Sequence, residues 1–238
     1  MAARGVLTVV KVGGGLAREA GPRVLRALCA QIAEAGARHP LLVVPGGAQF
    51  ADVVRAHDRR FTLRAQTAHW MAILAMDQFG WALSDLIPGA VRCTDLGSVG
   101  DRGVSILLPT ALLAEHDPLP ESWAVTSDSI AAWVAGAAGA ERLVLVKAVA
   151  GLYRTWPDHG TPIPRLTVDE LAALAPAGVD AYLPVALRAT GVETWVIGGR
   201  DPARLAELLD EGRTAGTQVI ASAPRVSPRP ERHRRRRS

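Results

Sequence analysis

Short runs of consecutive apolar residues recur along the chain, and longer segments with helical periodicity separate them. The first two runs lie at residues 7–12 and 41–44, and a helical segment extends from about residue 18 to residue 38 between them. A continuous apolar run of this length is typical of a strand that is buried on both faces of a sheet. The pattern therefore predicts a βαβ unit at the start of the chain.

The same alternation continues to about residue 222 and predicts an α/β fold with a largely parallel central sheet that helices cover on both faces. The stretch TSDSIAAWVAGAAG, with polar residues at its start and glycine at its end, predicts a helix over residues 126–139. The other predicted helices span residues 49–57, 64–86, 168–174, 181–190 and 202–210, and the other predicted strands span residues 91–94, 104–108, 142–149, 193–197 and 217–222. Without an internal repeat or a linker, residues 1–224 are expected to form a single domain.

The net charge of +4 comes from the carboxyl-terminal end of the chain. Residues 225–238, RVSPRPERHRRRRS, hold seven arginines and one glutamate, so this tail carries +6 and the body of the chain is slightly acidic at −2. A segment rich in proline, serine and arginine cannot bury enough apolar surface to fold, so we expect a disordered tail. A nucleic-acid-binding protein is one hypothesis for the chain, but it rests on this tail alone.

The apolar runs are too short for a membrane protein, since none approaches the roughly 20 residues of a membrane-spanning helix. The N-terminus also lacks the basic and then apolar layout of a secretory signal. We therefore expect a soluble, cytoplasmic protein. Its two cysteines, Cys29 and Cys93, are too few for a disulfide framework and have no metal-ligand spacing, so both are expected to pack in the core and no metal-ligating residues are predicted.

Glycine-rich turns follow three of the predicted strands. In open α/β sheets ligands bind at the carboxyl ends of the strands, and glycine lets backbone N–H groups come close to phosphate oxygens there. One such turn can be a tight connection and nothing more, but three at equivalent positions predict a phosphate-binding edge. The turns contain Gly13, Gly14 and Gly15, then Gly46 and Gly47, and finally Gly198 and Gly199.

The opening loop, VVKVGGGL, differs from the two familiar phosphate-binding loops. The spacing G-x-G-x-x-G is absent and no acidic residue ends the second strand, so the loop is not a dinucleotide fingerprint. In a Walker A loop the lysine follows the glycines, whereas Lys11 precedes them and lies within the predicted strand. An unpaired lysine among buried residues would be costly. At a strand end, with its ammonium above adjacent amides, Lys11 suits a transferring phosphoryl group.

The order of five segments resembles the amino acid kinase family: VVKVGGG, VVPGGAQFADVVR, TSDSIAAW, LVLVKAVAGLY and VIGGRDPARLAELLDEGRTAGTQV. The resemblance covers nearly the whole chain up to the tail. The family includes acetylglutamate, uridylate, glutamate 5- and isopentenyl phosphate kinases. The resemblance therefore implies an ATP-dependent phosphotransferase with a three-layer α/β/α sandwich, ATP and Mg²⁺ as cofactors, and a homo-oligomer formed through the apolar helix at residues 64–86.

The resemblance also implies roles for individual residues. Lys11 would contact the transferring phosphoryl group, Asp128 would orient Lys11 and a partner lysine, and Lys147 would contact the nucleotide phosphates. Such a site makes physical sense, because phosphoryl transfer depends mainly on positioning and fixed positive charge. The remaining residues implied to contact the phosphates or border the nucleotide are Gly13, Gly14, Gly15, Val149, Gly151, Tyr153, Gly198, Gly199 and Arg200.

Three segments depart from the family pattern. Gly15 stands where many members have serine, and the second loop reads GGA where the family has three glycines. In KAVAGLY, Ala148 and Ala150 stand where acidic residues are common, and Lys147 lies one place earlier than in the uridylate kinase pattern. A nucleotide-binding regulator that has lost turnover is therefore another hypothesis. The combination of Lys11, Asp128 and Lys147 speaks against it.

The segments that would receive the acceptor most resemble the small kinases of methanofuran and methylofuran synthesis. Those enzymes convert an aminomethylfuran monophosphate into the diphosphate, so the resemblance implies a phosphate acceptor. Uridylate, isopentenyl phosphate, an amino acid and other small phosphates or carboxylates stay open as alternatives. A phosphate acceptor is already a nucleophile and needs no strong general base, and none is evident. Acceptor contacts are predicted for Gly46, Gly47, Phe50, Asp52, Arg55, Asp77 and Ser127, with the arginine on the phosphate, the phenylalanine on the ring and a carboxylate on the ammonium.

Overall fold

The computed structural model describes residues 6–116, 119–155, 160–175 and 178–220. Within these ranges the chain forms eight strands and nine helices. The strands are β1 (Thr8–Val12), β2 (Leu41–Pro45), β3 (Val91–Cys93), β4 (Val104–Leu107), β5 (Arg142–Lys147), β6 (Arg165–Thr167), β7 (Glu193–Gly198) and β8 (Thr217–Ile220). The helices are α1 (Gly14–Glu19), α2 (Gly21–Gly36), α3 (Ala48–Phe61), α4 (Ala65–Leu86), α5 (Pro109–His116), α6 (Ser127–Ala137), α7 (Val168–Leu174), α8 (Leu183–Thr190) and α9 (Ala203–Glu211). The predicted tail at residues 225–238 lies outside the described residues.

The strands form one sheet in the order β3-β4-β2-β1-β5-β7-β8-β6. Every neighbouring pair is parallel except β7 and β8, so β8 and its parallel partner β6 run against the other six strands. Strand β1 is central, with β2 on one side and β5 on the other. The carboxyl ends of β1, β2, β5 and β7 therefore meet along one edge of the sheet, which is where a ligand site is expected in such folds.

Helices cover both faces of the sheet, because successive strand residues point to opposite sides. Val9 packs in one core cluster with Ile130 of α6 and Leu187 of α8. Its neighbour Val10 packs in a second cluster with Leu28 of α2. The sheet is thus enclosed between two apolar layers, and the predicted three-layer α/β/α sandwich with a mainly parallel sheet is confirmed.

The predicted helix over residues 18–38 corresponds to α2, but it starts later than predicted because a separate short helix, α1, precedes it. Helix α1 ends at Glu19 and α2 begins at Gly21, which has a φ of 80° that other residues rarely adopt. Pro22 follows at the start of α2, where its missing N–H group costs no helical hydrogen bond. Two short elements, β6 and α5, were not predicted at all.

The long helix α4 contributes buried residues to the core and also exposes two large side chains. Leu74 and Trp81 are each about half exposed on its outer side. Assembly through this helix stays a prediction. Among the described helices, none is both long enough and apolar enough to cross a membrane.

Candidate active site

The glycine turns continue the hydrogen-bond pattern of the sheet beyond the ends of the strands. The amide of Gly13 donates to Val146 O at 3.1 Å, and the amide of Gly46 donates to Val12 O at 2.9 Å. The backbones of the first two loops then lie so close that a Cβ built on Gly14 would be 2.4 Å from the Cα of Ala48. These glycines therefore allow two loops to pack together at the centre of the carboxyl edge.

A buried cluster of three charged side chains lies at the same edge. Lys11 on β1 and Asp128 in the first turn of α6 are only 4% and 2% exposed. The Lys11 Nζ atom lies 2.9 Å from Asp128 Oδ1, and Lys147 Nζ, from the end of β5, lies 2.5 Å from Asp128 Oδ2. One carboxylate thus holds two ammonium groups, as the family resemblance implied for Asp128.

The cluster carries one more positive charge than negative charge, and this excess shapes its titration. Burial alone would raise the pKa of Asp128, but the charges of Lys11 and Lys147 outweigh it and hold that pKa well below its usual range. For Lys147, burial is the largest influence and lowers its pKa to about 8, while the Asp128 carboxylate opposes that shift. A phosphate group would supply the negative charge that this cluster lacks.

Lysine is otherwise absent from this protein. The chain has 27 lysines and arginines together, and Lys11 and Lys147 are the only two lysines among them. A lysine ammonium is a compact charge, whereas the planar guanidinium of arginine is broader and spreads its charge. Lys11 and Lys147 therefore carry the more compact of the two cations. Two ammonium groups of this size can contact the single Asp128 carboxylate. This signal was available in the composition and was not used in the sequence-based prediction.

The start of α6 is held by a residue that the sequence did not point to. Asp180, in the loop before α8, accepts hydrogen bonds from the backbone amides of Thr126 and Ser129, each at 2.9 Å. The hydroxyl groups of the same two residues also donate to its carboxylate. Asp180 thus fixes the turn that carries Ser127 and Asp128.

A cleft that is open to solvent lies beside the lysine–aspartate cluster. Its lining combines the glycine loops with the start of α6 and with faces of α3 and α4. Two arginines in the lining, Arg18 and Arg55, supply positive charge, and Trp123 lies 4.9 Å from the Arg55 guanidinium carbon in a cation–π contact. Other lining residues include Gly14, Gly15, Gly47, His69, Ile73, Met76 and Ser127. The cleft can therefore receive an anion that has an apolar body.

Of the seven residues predicted to contact the acceptor, the structure brings Gly47, Arg55 and Ser127 into the lining of this cleft. Gly46 lies directly behind it, because a Cβ there would be 3.4 Å from the Ser127 hydroxyl. The other three predicted residues, Phe50, Asp52 and Asp77, do not line the cleft.

Those three residues have other contacts. Phe50 packs against the core beneath α3. Asp52 forms ion pairs with Arg18 at 2.7 Å and with Arg55 at 3.3 Å, so it holds the two arginines of the cleft. Asp77 accepts a hydrogen bond from the Thr110 amide at 3.2 Å, in the first turn of α5. Burial raises the pKa of Asp77, and the Thr110 contact opposes this shift.

The loops expected to border the nucleotide converge on the other side of the cluster. The Arg200 side chain donates to Ala148 O at 3.2 Å and to Glu19 O at 3.3 Å, so it joins two loops to α1. The Gly199 amide donates to Lys147 O at 2.8 Å. Gly198 packs on Ala150, where a Cβ would lie 3.0 Å from its Cα. Ala148 and Ala150, the positions where the family resemblance implied acidic residues, therefore lie at this convergence point.

Part of the segment after Ala150 serves close packing within the fold. A Cβ on Gly151 would lie 2.8 Å from both Pro162 and Thr217, so this glycine permits close packing toward β8. Gly13 lies nearer to the cluster, where a Cβ would be 3.5 Å from Lys11 Nζ. Val149 and Tyr153 are half-buried on either side of Gly151. Nucleotide contacts by Gly13, Val149, Gly151 and Tyr153 stay predictions.

The α/β/α sandwich and the buried lysine–aspartate–lysine cluster among glycine loops define a phosphotransferase of small molecules. More specifically, the chain belongs to the amino acid kinase family, whose model matches residues 6–197. The cluster and the fold thus agree with the family to which the chain is assigned.

Two curated relatives illustrate the similarity. The [5-(aminomethyl)furan-3-yl]methyl phosphate kinase of Methanocaldococcus jannaschii is 27% identical, over 89% of this chain and 97% of that protein. The acetylglutamate kinase of Nocardia farcinica is 30% identical, over 92% of this chain and 89% of that protein. Both are kinases, so the predicted phosphotransferase class is confirmed.

Solved structures of uridylate kinases share the fold. The uridylate kinase of Archaeoglobus fulgidus superposes with a TM-score of 0.69 at 18% identity, covering 90% of this chain and 100% of the other. The UMP kinase of Bacillus anthracis superposes with a TM-score of 0.70 at 15% identity, covering 92% of this chain and 97% of the other. At these identities the likeness establishes the fold alone.

Proposed function

We propose that the protein transfers the γ-phosphoryl group of ATP to the phosphate of [5-(aminomethyl)furan-3-yl]methyl phosphate and forms the diphosphate. The observation that carries this proposal is the Methanocaldococcus jannaschii kinase, which matches 89% of this chain and is itself covered over 97% of its length. The cleft adds support, since it combines two arginines with apolar side chains beside the lysine–aspartate cluster.

In the proposed reaction an oxygen of the acceptor phosphate attacks the γ-phosphorus of ATP. A new P–O bond forms, the bond from the γ-phosphorus to the bridging oxygen breaks, and ADP leaves with that electron pair. No proton needs to be removed from the acceptor oxygen, because it is already anionic. Catalysis then depends on positioning the two reactants and on fixed positive charge around the transferring group.

The protein's own groups divide this work along the carboxyl edge. Lys11 stabilises the negative charge on the transferring group, and the loop amide of Gly14 orients the same oxygens. The Gly13 amide already donates to Val146 O, so this glycine contributes close packing of the loop instead. Lys147 contacts the nucleotide phosphates, and Asp128 keeps both ammonium groups in place. Arg55 binds the acceptor phosphate at the other end of the cleft.

Mg²⁺ enters this proposal as the partner of the ATP phosphates. Within the described residues there is no group of three or more His, Cys, Asp or Glu side chains that could hold a metal ion. Both oxygens of Asp128 already face lysines. We therefore assign no protein ligand and no catalytic step to the metal.

A carboxylate acceptor is the second candidate, because the Nocardia farcinica acetylglutamate kinase is 30% identical over most of both chains. The two products differ chemically. An acyl phosphate is trapped by hydroxylamine, whereas a diphosphate is not. The arginines of the cleft can pair with either kind of anion.

The proposal is tested by ATP turnover with four acceptors: the aminomethylfuran phosphate, UMP, isopentenyl phosphate and acetylglutamate. We expect the aminomethylfuran phosphate to give the highest kcat/KM, with a product whose ³¹P spectrum shows a P–O–P linkage. A hydroxylamine-trapped product from acetylglutamate at a higher kcat/KM would support the second candidate. Turnover at background with all four acceptors would contradict the proposal.

The acceptor end of the cleft has a matched test on one helix. Arg55→Ala should raise the KM for the phosphate acceptor by roughly 10-fold or more, because a charged hydrogen bond to the anion is lost. Arg59→Ala removes an exposed arginine one turn further along α3 and should leave the KM unchanged. Equal effects of the two variants would show that Arg55 has no special position at the acceptor.

A further inference from the structure

Helix α6 has no side-chain cap from its own N-cap residue. Thr126 is the N-cap residue, but its side chain accepts no hydrogen bond from the first turn. The Asp180 carboxylate caps the helix instead. One of its oxygens accepts hydrogen bonds from the Thr126 amide, the Thr126 hydroxyl and the Ser129 amide, each at 2.9 Å. The other oxygen accepts from the Ser129 hydroxyl. A residue more than 50 positions away therefore caps this helix.

A second hydrogen bond joins the loop before α8 to the segment before α6. The Tyr182 amide, at the start of α8, donates to Ala124 O at 3.2 Å. The segment that Asp180 and Tyr182 hold leads from Trp123 into α6, and its residues Trp123 and Thr126 line the acceptor cleft. The loop before α8 thus positions one wall of the cleft.

The contacts of Asp180 also affect the lysine–aspartate cluster, because Asp128 lies in the helical turn that Asp180 holds. Asp128 is the second residue of α6, between the two residues that Asp180 binds, and it holds both Lys11 and Lys147. A shift of about 1 Å in a catalytic group can lower a rate 100-fold. Movement of this helical turn would therefore displace both ammonium groups from the transferring phosphoryl group.

Asp180 also acts on the cluster by its charge. Three charged groups influence the pKa of Lys147 besides burial: Asp128 raises it, Lys11 lowers it, and Asp180 raises it. The Asp180 carboxylate is half-buried, so solvent screens it only in part. Loss of its charge should thus be felt at Lys147 even if the fold is kept.

We propose that Asp180 is a positioning residue that fixes the first turn of α6 and thereby couples the loop before α8 to the Lys11–Asp128–Lys147 cluster. This inference rests on the proposed function for its effect on turnover. Its effect on the two lysines does not depend on the acceptor.

The kinetic test compares Asp180→Asn with Asp180→Ala in the full chain. Alanine removes every contact to α6, so kcat should fall roughly 10- to 100-fold while the KM for ATP changes much less. Asparagine keeps an acceptor oxygen without the charge, so its kcat should lie between those of wild type and Asp180→Ala. Asp169→Asn is the control, because it removes a carboxylate that pairs with Arg188 at 2.8 Å on the neighbouring helices α7 and α8. Equal, unchanged kcat in all three variants would overturn the proposal.

A second test needs no substrate and uses the fact that the protein has only two lysines. With lysine labelled with ¹³C at Cε, the titration of each ammonium can be followed by NMR through its Cε signal, and Lys11→Arg assigns the remaining signal to Lys147. In Asp180→Asn the titration of Lys147 should move to lower pH, and in Asp169→Asn it should stay at the wild-type position. A merely structural cap would lower the thermal midpoint in Asp180→Asn without moving this titration, and that result would overturn the electrostatic part of the proposal.

The two tests also separate this inference from the proposed function. Wild-type protein that turns over none of the acceptors would contradict the proposed function. The Lys147 titration would still decide whether Asp180 acts on the cluster.

Discussion

The two ends of the central sheet carry the same kinds of charged groups in opposite surroundings. At the carboxyl edge, Lys11, Asp128 and Lys147 form a cluster whose side chains are at most 13% exposed. At the amino edge, Arg38 and His39 both contact Asp210, whose side chain is 44% exposed. Surface ion pairs contribute little to stability, whereas breaking a buried one leaves a costly uncompensated charge. The difference shows that burial, and not the number of ion pairs, distinguishes the edge at which we propose that phosphoryl transfer takes place.

The largest effect on stability and turnover is expected when the cluster loses Asp128, the carboxylate that both lysines contact. Asp128→Ala leaves two ammonium groups in a buried site, so the free energy of unfolding should fall by about 3–5 kcal/mol. Turnover should fall at least as far as it does when one lysine is removed. Urea denaturation followed by circular dichroism measures the first effect. Loss of less than about 1 kcal/mol would show that the cluster is not held in the buried geometry described above.

The next effect concerns the pH dependence of activity. Because the pKa of Lys147 is lowered to about 8, its ammonium is lost as the pH rises through that value. The rate should therefore be highest below pH 8 and decline above it. Lys147→Arg should lower kcat, because the broader guanidinium fits the site poorly, and it should also abolish the decline, because arginine stays charged. An unchanged decline in that variant would assign it to another group.

The same cluster also makes the stability of the fold depend on pH, through the carboxylate of Asp128. The pKa of Asp128 is lower in the folded protein than in the unfolded chain, so its carboxylate stabilises the fold above the unfolded value of roughly 4. This contribution is lost as the pH falls through the lowered, folded pKa. Acid denaturation of Asp128→Asn should be correspondingly less steep than that of wild type. Identical acid transitions would contradict this account.

A smaller effect separates two adjacent glycines of the first loop. A Cβ at position 14 would lie 2.4 Å from the Ala48 Cα, so Gly14→Ala forces the two glycine loops apart and should destabilise the protein by about 1–3 kcal/mol. At position 15 the nearest atom is the end of the Glu19 side chain at 3.3 Å, so Gly15→Ser should be tolerated. Thermal unfolding of both variants checks this. Similar losses in both would show that the loops do not make this close contact.

The smallest effect is expected at the amino edge. Contact with His39 is the main reason that the pKa of Asp210 is lowered, and Arg38 adds to this. Since the group is partly exposed, Asp210→Asn should change stability by no more than about 1 kcal/mol and leave turnover at the wild-type value. A large loss of activity would remove the contrast between the two edges.

Much of the fold was predictable from the sequence because the central strands are buried on both faces. Residues 7–12 and 41–44 stand out as apolar runs for this reason, and the structure has β1 and β2 there. Elements defined by distant contacts were missed. Strand β6 has three residues and exists through its pairing with β8. Helix α5 begins directly at Pro109, and its Thr110 amide is bound by Asp77 from another helix.

At the candidate site, Lys11 could be singled out because it stands at a strand end beside glycines, whereas Lys147 was named only through the family resemblance. Asp180 was not predictable, because its partners lie more than 50 residues away and no local pattern marks a carboxylate that caps another segment's helix. Asp77 was predicted to contact the acceptor, and in the structure its carboxylate accepts a hydrogen bond from the Thr110 amide. The sequence pattern around Asp77 is the same for a substrate ammonium and for a backbone amide as its partner. The scarcity of lysine could have been read from the composition, and it points directly at the two residues that meet at Asp128.

The most direct test of the central claim is the kcat of Lys11→Ala with ATP and the best acceptor, measured beside wild type by product formation. The variant removes one of the two ammonium groups on Asp128 and leaves the loops and the cleft in place. We predict that kcat falls by roughly two to four orders of magnitude, as expected for one lost charge contact in the transition state. A decrease of less than about threefold, in protein with wild-type circular dichroism, would show that this cluster does not carry out phosphoryl transfer.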